Sequence, residues 1–367
     1  MQDVRAQAMN LRQVELYLCS LLRQPVTIHG LVPLGHGPAE TEVKGYGYGT
    51  PVRVDYSTAG GEKRSAVIHT MDSGPFGHEH MADRAQILLW EHGAFNNLPR
   101  HVRAMDIAGF DCAGGLTSLG NVEELCLLTE YAEGEGYFRD LERIRENGTA
   151  TALDFARADA LCDYLAEIHR SPVDRPGLYT RRIRELVGHG ECIMGLADSY
   201  PPHPTITRQV LEEIEHRAVR WRWQLKDRAH RLRQVHGDFH PWNILFQNDV
   251  SFVLLDRSRG EYGDPADDVT CLTANYIFFS LERSGRLEGS FSELFLRFWD
   301  RYIEKTGDSE ILEVAAPFFA FRGLVMASPV WYPNLSEIVR QRLITFILAV
   351  LDRPFFDPHE VNACCGD

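Results

Sequence analysis

The stretch His236-Gly237-Asp238-Phe239-His240-Pro241-Trp242-Asn243, followed by the apolar run Phe252-Val253-Leu254-Leu255 and then Asp256, decides how this chain is read. It places an aspartate five residues before an asparagine and ends the next apolar strand on a second aspartate. Phosphoryl transfer from a nucleotide needs that set: one carboxylate to receive a hydroxyl proton, and an amide and a carboxylate to hold Mg²⁺. Asn243 and Asp256 offer the hard oxygens that Mg²⁺ prefers, and that ion usually takes one or two protein ligands, with phosphates and water completing its octahedron. Gly237 and Pro241 close a turn around Asp238, so its carboxylate can face a cleft and orient an acceptor hydroxyl. Gly, Asp, Asn and Pro are also what any turn favours, and a lone Asp-x-x-x-x-Asn would carry little weight. The ordered sequel through Asp256 to Tyr262-Gly263-Asp264-Pro265-Ala266-Asp267-Asp268 gives it weight.

With glycine where protein kinases carry arginine after the histidine, His-Gly-Asp-x-His-Pro-x-Asn resembles the aminoglycoside phosphotransferases and related small-molecule kinases. The resemblance implies an α+β, two-lobed protein-kinase-like fold: a small β-rich lobe over residues 1–130 and a larger, mostly helical lobe over 131–367. It implies ATP or GTP as co-substrate, Mg²⁺ as the metal, Asp238 as the catalytic residue, and Asn243 and Asp256 as metal ligands. Thr129-Glu130-Tyr131-Ala132-Glu133-Gly134 resembles the hinge between lobes, where backbone groups of Glu130 and Ala132 would meet the adenine edge. Asp264 and Asp267 or Asp268 resemble the acids that brace the catalytic loop, and His169 is read as structural. After Asp256 the sequence runs Arg257-Ser258-Arg259-Gly260, placing two arginines where they could stabilise transferring charge or pair with Glu261 and Asp264.

The composition is that of an ordinary globular protein. With 367 residues, 44% hydrophobic and 25% charged, the chain can build two cores. No apolar run approaches the roughly 18 residues of a membrane span, and Asp3, Arg5, Arg12 and Glu15 interrupt any leader-like core, so a cytoplasmic protein without membrane contact is expected. A formal charge of −14 disfavours nucleic acid. It would suit a cationic acceptor, although solubility is the simpler reason for it. Eight cysteines without metal spacing are expected to be reduced, with Cys364-Cys365 in an exposed tail. The partner expected is a small hydroxyl-bearing molecule; oligomeric state and the identity of the acceptor are open.

Along the chain, Asn10 to Arg23 has helical periodicity, Val43 to Tyr48, Pro51 to Tyr56 and Ser65 to Thr70 read as strands, and His80 to His92 reads as a helix. Glu124 to Tyr131 reads as a strand and Ala156 to Arg170 as a strong helix. The basic run from Tyr179 to Glu185 reads as a solvated helical face, or else as an anion-binding patch. Gly45, Gly47 and Gly49 could let backbone amides cradle phosphates, with a bulge or hairpin as the alternative and Leu34-Gly35-His36-Gly37 as a competing loop. Kinases carry a lysine at the end of the third strand; Ala66-Val67-Ile68-His69-Thr70 offers His69 instead. A neutral imidazole brings no fixed charge, so Lys44, Lys63 or Arg64 would have to supply one, and the family's pairing with Glu79 or Asp83 is in doubt. That departure leaves a second reading, a nucleotide-binding protein with weak or no turnover, and a third, a kinase acting on a protein.

Overall fold

The computed structural model describes residues 10–34, 49–74, 77–97, 102–112, 115–122, 124–125, 127 and 129–366. The chain divides into two compact units, Met1–Thr129 and Glu130–Asp367. Strands and helices lie in both, an α+β architecture.

The first unit is built on α1 (Leu11–Leu22) and an antiparallel sheet of β1 (Val26–Pro33), β2 (Val52–Thr58) and β3 (Lys63–Ile68) in that order. Asn10 caps α1 by accepting from Arg12 N, and Val14 and Leu18 turn inward one helical turn apart. They meet Val54 and Tyr56, alternate residues of β2, in a small core of their own. β1 had no clear signature in the sequence: Gly30 interrupts its alternation, and the register slips between Ile28 and Gly30. α2 (Met81–Asn96) begins where Asp83 accepts a 2.8 Å bond from His80 N, so this carboxylate serves as a helix cap. A short ribbon of β4 (Ala108–Phe110) and β5 (Leu116–Ser118) completes the unit. The expected strand Val43–Tyr48 lies outside the described residues.

The expected strand over 124–131 is not formed: the described residues of that segment have no ladder partner, and Leu125, Leu127 and Tyr131 are exposed. Apolar alternation reports a tendency, and a strand also needs a neighbour to bond. The pairing begins later, in the second unit, where β6 (Glu135–Gly136) joins the central strand of a three-stranded sheet with β8 (Ile244–Phe246) and β9 (Phe252–Leu254). Gly134 passes so close to β8 that a Cβ there would lie 2.8 Å from the Phe246 carbonyl.

Helices α3 (Tyr137–Asn147) and α4 (Ala152–Ile168) follow β6. α4 begins four residues before the sequence suggests because Thr151 and Asp154 cap it reciprocally. Then come α5 (Pro176–Gly188), α6 (Ile193–Ser199) and α7 (Arg208–Leu225), and β7 (Arg233–Gln234), which pairs with β10 (Tyr262–Gly263) beyond the β8–β9 hairpin. α8 (Pro265–Ser284) is buried along most of its length among α3, α9 (Gly289–Thr306) and α11 (Ala316–Ala327), the last preceded by the one-turn α10 (Ile311–Val314). α12 (Glu337–Asp352) packs along α11, and α13 (Val361–Cys365) ends the described chain. Phe319 and Phe356 meet at a 4.6 Å centroid distance beside Trp299, sealing this core with aromatic surface.

The cysteine pair does not form an exposed tail. Cys364 and Cys365 are both buried in α13, each acting as a small hydrophobe that closes the helical core. No described helix is long and apolar enough to cross a membrane.

Candidate active site

The loop from His236 to Asn243 is held from beneath by α8. Asp268, fully buried, accepts the backbone amides of His236 at 2.8 Å and Gly237 at 2.7 Å, and pairs with His169 Nε2 at 3.1 Å. Burial pulls its carboxyl upward, but His169 and the two amides outweigh burial and hold it below the usual carboxylate range. His169 is tied in turn to the Tyr302 hydroxyl at 2.8 Å, a structural role. Asp264, the N-cap of α8, takes a two-pronged ion pair from buried Arg231 and a hydrogen bond from Tyr179. Two of the three acids thus brace the loop and its flanks.

Gly237 sits at φ +83°, a left-handed turn that favours glycine. The turn brings His236 back so that Nε2 donates to the Leu255 carbonyl at 2.9 Å while Nδ1 accepts from Asp238 N at 3.3 Å. Phe239, fully buried, pins the next residue. Asp238 is therefore presented by a turn with little freedom.

The partner of Asp238 comes from α11. Arg322 Nη1 lies 2.5 Å from Asp238 Oδ1, while Nη2 donates to Asp267 at 2.8 Å and to the Gly237 carbonyl at 3.1 Å. His240 Nε2 stands 3.6 Å and Arg259 Nε 3.8 Å from the same carboxylate. Burial acts to raise the Asp238 carboxyl, but the nearby His240 ring and the charges of Arg322 and Arg259 lower it well below the usual range. Asp267 goes the other way: burial raises it, Arg322 pulls against that, and the neighbouring Asp268 adds repulsion.

Asn243 and Asp256 flank the open end of the β8–β9 hairpin. Ile244 pairs with Leu254, and Leu255 N donates to the Asn243 carbonyl at 2.9 Å, so the next residue, Asp256, emerges beside Asn243. Asn243 Nδ2 donates to the Asp238 carbonyl at 3.1 Å, which orients its amide and turns Oδ1 away from that carbonyl. Asp256 is exposed and adopts φ +48°, a conformation that aspartate tolerates better than most residues and that is common at functional turns. Among the described residues no three His, Cys, Asp or Glu side chains cluster as metal ligands. The two oxygens present fit an ion completed by phosphate and water.

Gly45, Gly47 and Lys44 lie outside the described residues, as do Gly35, His36 and Gly37. Gly49 has a packing reason to be glycine, since a Cβ would lie 2.2 Å from the Thr70 carbonyl. His69 follows β3 and is exposed, Lys63 is exposed, and Arg64 is paired with Glu62 at 2.8 Å. Glu130 is exposed and Ala132 half-buried in a segment without regular structure. Arg257 does not pair with a carboxylate: it donates to the Val235 and Glu261 carbonyls and clamps the strand entering the loop. The run on α5 is not a solvated face, because Tyr179 and Ile183 are buried and the half-buried Arg181 and Arg182 converge on Glu185 at 2.6 and 2.7 Å.

Arg322 is the residue that reading the sequence missed. Its signal was available: one arginine within the apolar helix Ala316-Pro317-Phe318-Phe319-Ala320-Phe321-Arg322-Gly323-Leu324 must be buried, and a buried guanidinium needs a carboxylate.

Among solved structures, an aminoglycoside phosphotransferase with bound ADP is 12% identical, covers 95% of this chain and all of its own, and superposes with a TM-score of 0.33. An ethanolamine kinase of Plasmodium vivax is 13% identical over 88% of this chain and 84% of its own, with a TM-score of 0.36. A glucosamine kinase is 18% identical over 62% of this chain, which spans 57% of that protein, with a TM-score of 0.34. No curated protein sequence matches. The model of the phosphotransferase enzyme family matches residues 93–302, more than half the chain, a span that includes Asp238, Asn243 and Asp256 and stops before Arg322. The chain belongs to the phosphotransferase enzyme family.

Proposed function

We propose that the protein transfers the γ-phosphoryl group of ATP or GTP to a hydroxyl of a small molecule, with Asp238 as the catalytic residue. The observation that carries this reading is the convergence of Asp238, Asn243 and Asp256 on one loop and hairpin end, with Asn243 bonded to the Asp238 carbonyl. Asp238 stays ionised, so it accepts a hydrogen bond from the acceptor hydroxyl and holds that oxygen in line. As the bond from acceptor oxygen to γ-phosphorus forms, the bond from that phosphorus to the β–γ bridging oxygen breaks. The nucleoside diphosphate leaves, and the hydroxyl proton passes late to Asp238. A carboxylate this acidic is a weak base, and its main contribution is orientation. Mg²⁺ held by Asn243 and Asp256 would neutralise charge on the phosphates.

Thermal stability with nucleotide tests this reading. ATP or GTP with Mg²⁺ should stabilise the protein by about 2.7 kcal/mol at a hundredfold excess over Kd, and excess EDTA should remove the effect. Asp238→Asn should keep Mg²⁺–nucleotide binding and lower transfer by roughly 10²–10⁴-fold. Equal stabilisation with EDTA would remove Asn243 and Asp256 from the metal site, and unimpaired turnover by Asp238→Asn would remove Asp238 from catalysis.

A further inference from the structure

A pocket of about 190 Å³ opens between α5, the turn after Asp256 and α11, lined among others by Arg181, Arg182, Arg259, Asp267, Phe318 and Phe321, and Arg259 links it to Asp238 at 3.8 Å. It is smaller than the roughly 300–1,000 Å³ of sites that take drug-sized ligands, which favours a compact occupant. Two of its carboxylates are already engaged, Asp264 by Arg231 and Asp267 by Arg322, and Arg182 reaches Glu185 at 2.7 Å. Glu191 lies at the exposed rim.

Arg259 is the informative side chain. Its guanidinium lies over the Phe321 ring at 4.9 Å, and one nitrogen donates to the Cys192 sulfur at 3.3 Å. Burial pushes the Cys192 thiol up to about 11, so this partner is neutral, and the only carboxylate within ion-pair distance of the guanidinium among the described residues is Asp238, which Arg259 shares with Arg322. Arg259 Nε is buried with no hydrogen-bond partner, and its nearest carboxylate, Asp238, is beyond hydrogen-bond distance and already bonded to Arg322. A buried N–H without an acceptor costs about 1–3 kcal/mol. Across Gly260 stands Arg182, whose guanidinium lies within 4 Å of where a Cβ on that glycine would be. The wall thus carries two guanidiniums and two phenyl rings, and one of those guanidiniums lies 3.8 Å from the carboxylate proposed to orient the reacting hydroxyl.

We infer that this pocket holds the acceptor, and that the acceptor is a compact alcohol bearing a carboxylate or similar anionic group, bound by Arg182 and Arg259 while its hydroxyl reaches Asp238. The inference rests on the phosphotransferase reading above and narrows its substrate class. It runs against the expectation from the chain's overall charge, because the local field of two arginines acts at contact distance while a net charge of −14 is spread over the surface and screened.

The test uses the full chain with Mg²⁺–ATP or Mg²⁺–GTP and three- to six-carbon hydroxy acids, each paired with its primary amide. Nucleotide-dependent thermal stabilisation is measured first in the same samples; its absence would fail the phosphotransferase reading itself. Given stabilisation, nucleoside diphosphate release should be stimulated by at least one hydroxy acid, with kcat/KM at least tenfold above its amide. Arg182→Gln should cut that acid-to-amide ratio at least tenfold by raising KM for the acid, a ratio that general loss of folded protein would not move. Stimulation confined to amines or neutral alcohols, no stimulation by any acid, or an unchanged ratio in Arg182→Gln would overturn the assignment.

Discussion

Replacing Arg322 by methionine removes the cation that joins Asp238, Asp267 and the Gly237 carbonyl while keeping an unbranched side chain of similar reach. The Arg322 side chain is 6% exposed, so the loss is that of a buried pair and not a surface one. Breaking such a pair and stranding its carboxylates costs about 3–5 kcal/mol. In a unit of this size each kcal/mol shifts Tm by roughly 2–4 °C, giving a fall of roughly 6–20 °C. Asp238 retains Arg259 at 3.8 Å, so the larger share falls on Asp267, whose carboxyl burial already raises. The pH dependence has a definite sign. In the native protein Asp238 titrates below its unfolded value, so its contribution is present above pH of about 4 and is lost as pH falls below that. Without Arg322, Asp267, which burial already raises, rises further, and Asp238 keeps only His240 and Arg259 to lower it, so ionisation of the pair becomes less favourable at neutral pH and acidification relieves it. The gap in Tm between native protein and Arg322→Met should therefore be wider at pH 8 than at pH 5. Adding Asp267→Asn should recover part of the loss, since one stranded charge is removed. Calorimetry of the three proteins between pH 5 and 8 decides the matter: a gap under about 3 °C, or one independent of pH, would refute the claim that Arg322 neutralises these carboxylates.

Two further outcomes concern the loop and the first unit. Asp268→Asn leaves one oxygen for two backbone amides and turns an NH₂ toward a donor, so it should destabilise by about 2–3 kcal/mol and lower transfer, read by denaturation and by single-turnover rate; native stability would contradict the bracing role. If His69 faces the phosphates, His69→Ala should weaken nucleotide binding at fixed pH, read by calorimetric titration with Mg²⁺–ATP. Unchanged affinity in the variant would move the phosphate cation elsewhere, with Lys44 next in line.

What the sequence by itself determined was local chemistry. The capping and periodicity of α1, the alternation of β2, and the loop from His236 to Asn243 with Asp256 after it are written in residues close together in the chain, because turns, caps and amphipathic faces depend on neighbours. The same locality explains the misreadings: an apolar run at 124–131 cannot say whether a partner strand exists, and Cys364-Cys365 cannot say whether a terminal helix closes a core. Only the tertiary structure decided which charges meet. Arg322 lies 84 residues after Asp238, and Arg182 and Arg259 come from a helix and a turn far apart in sequence. Electrostatic effects act through space and strengthen as water is excluded, so the pairing of Asp238 with Arg322, and the approach of Arg182 and Arg259 to one pocket, exist only once α5, α8 and α11 have packed together.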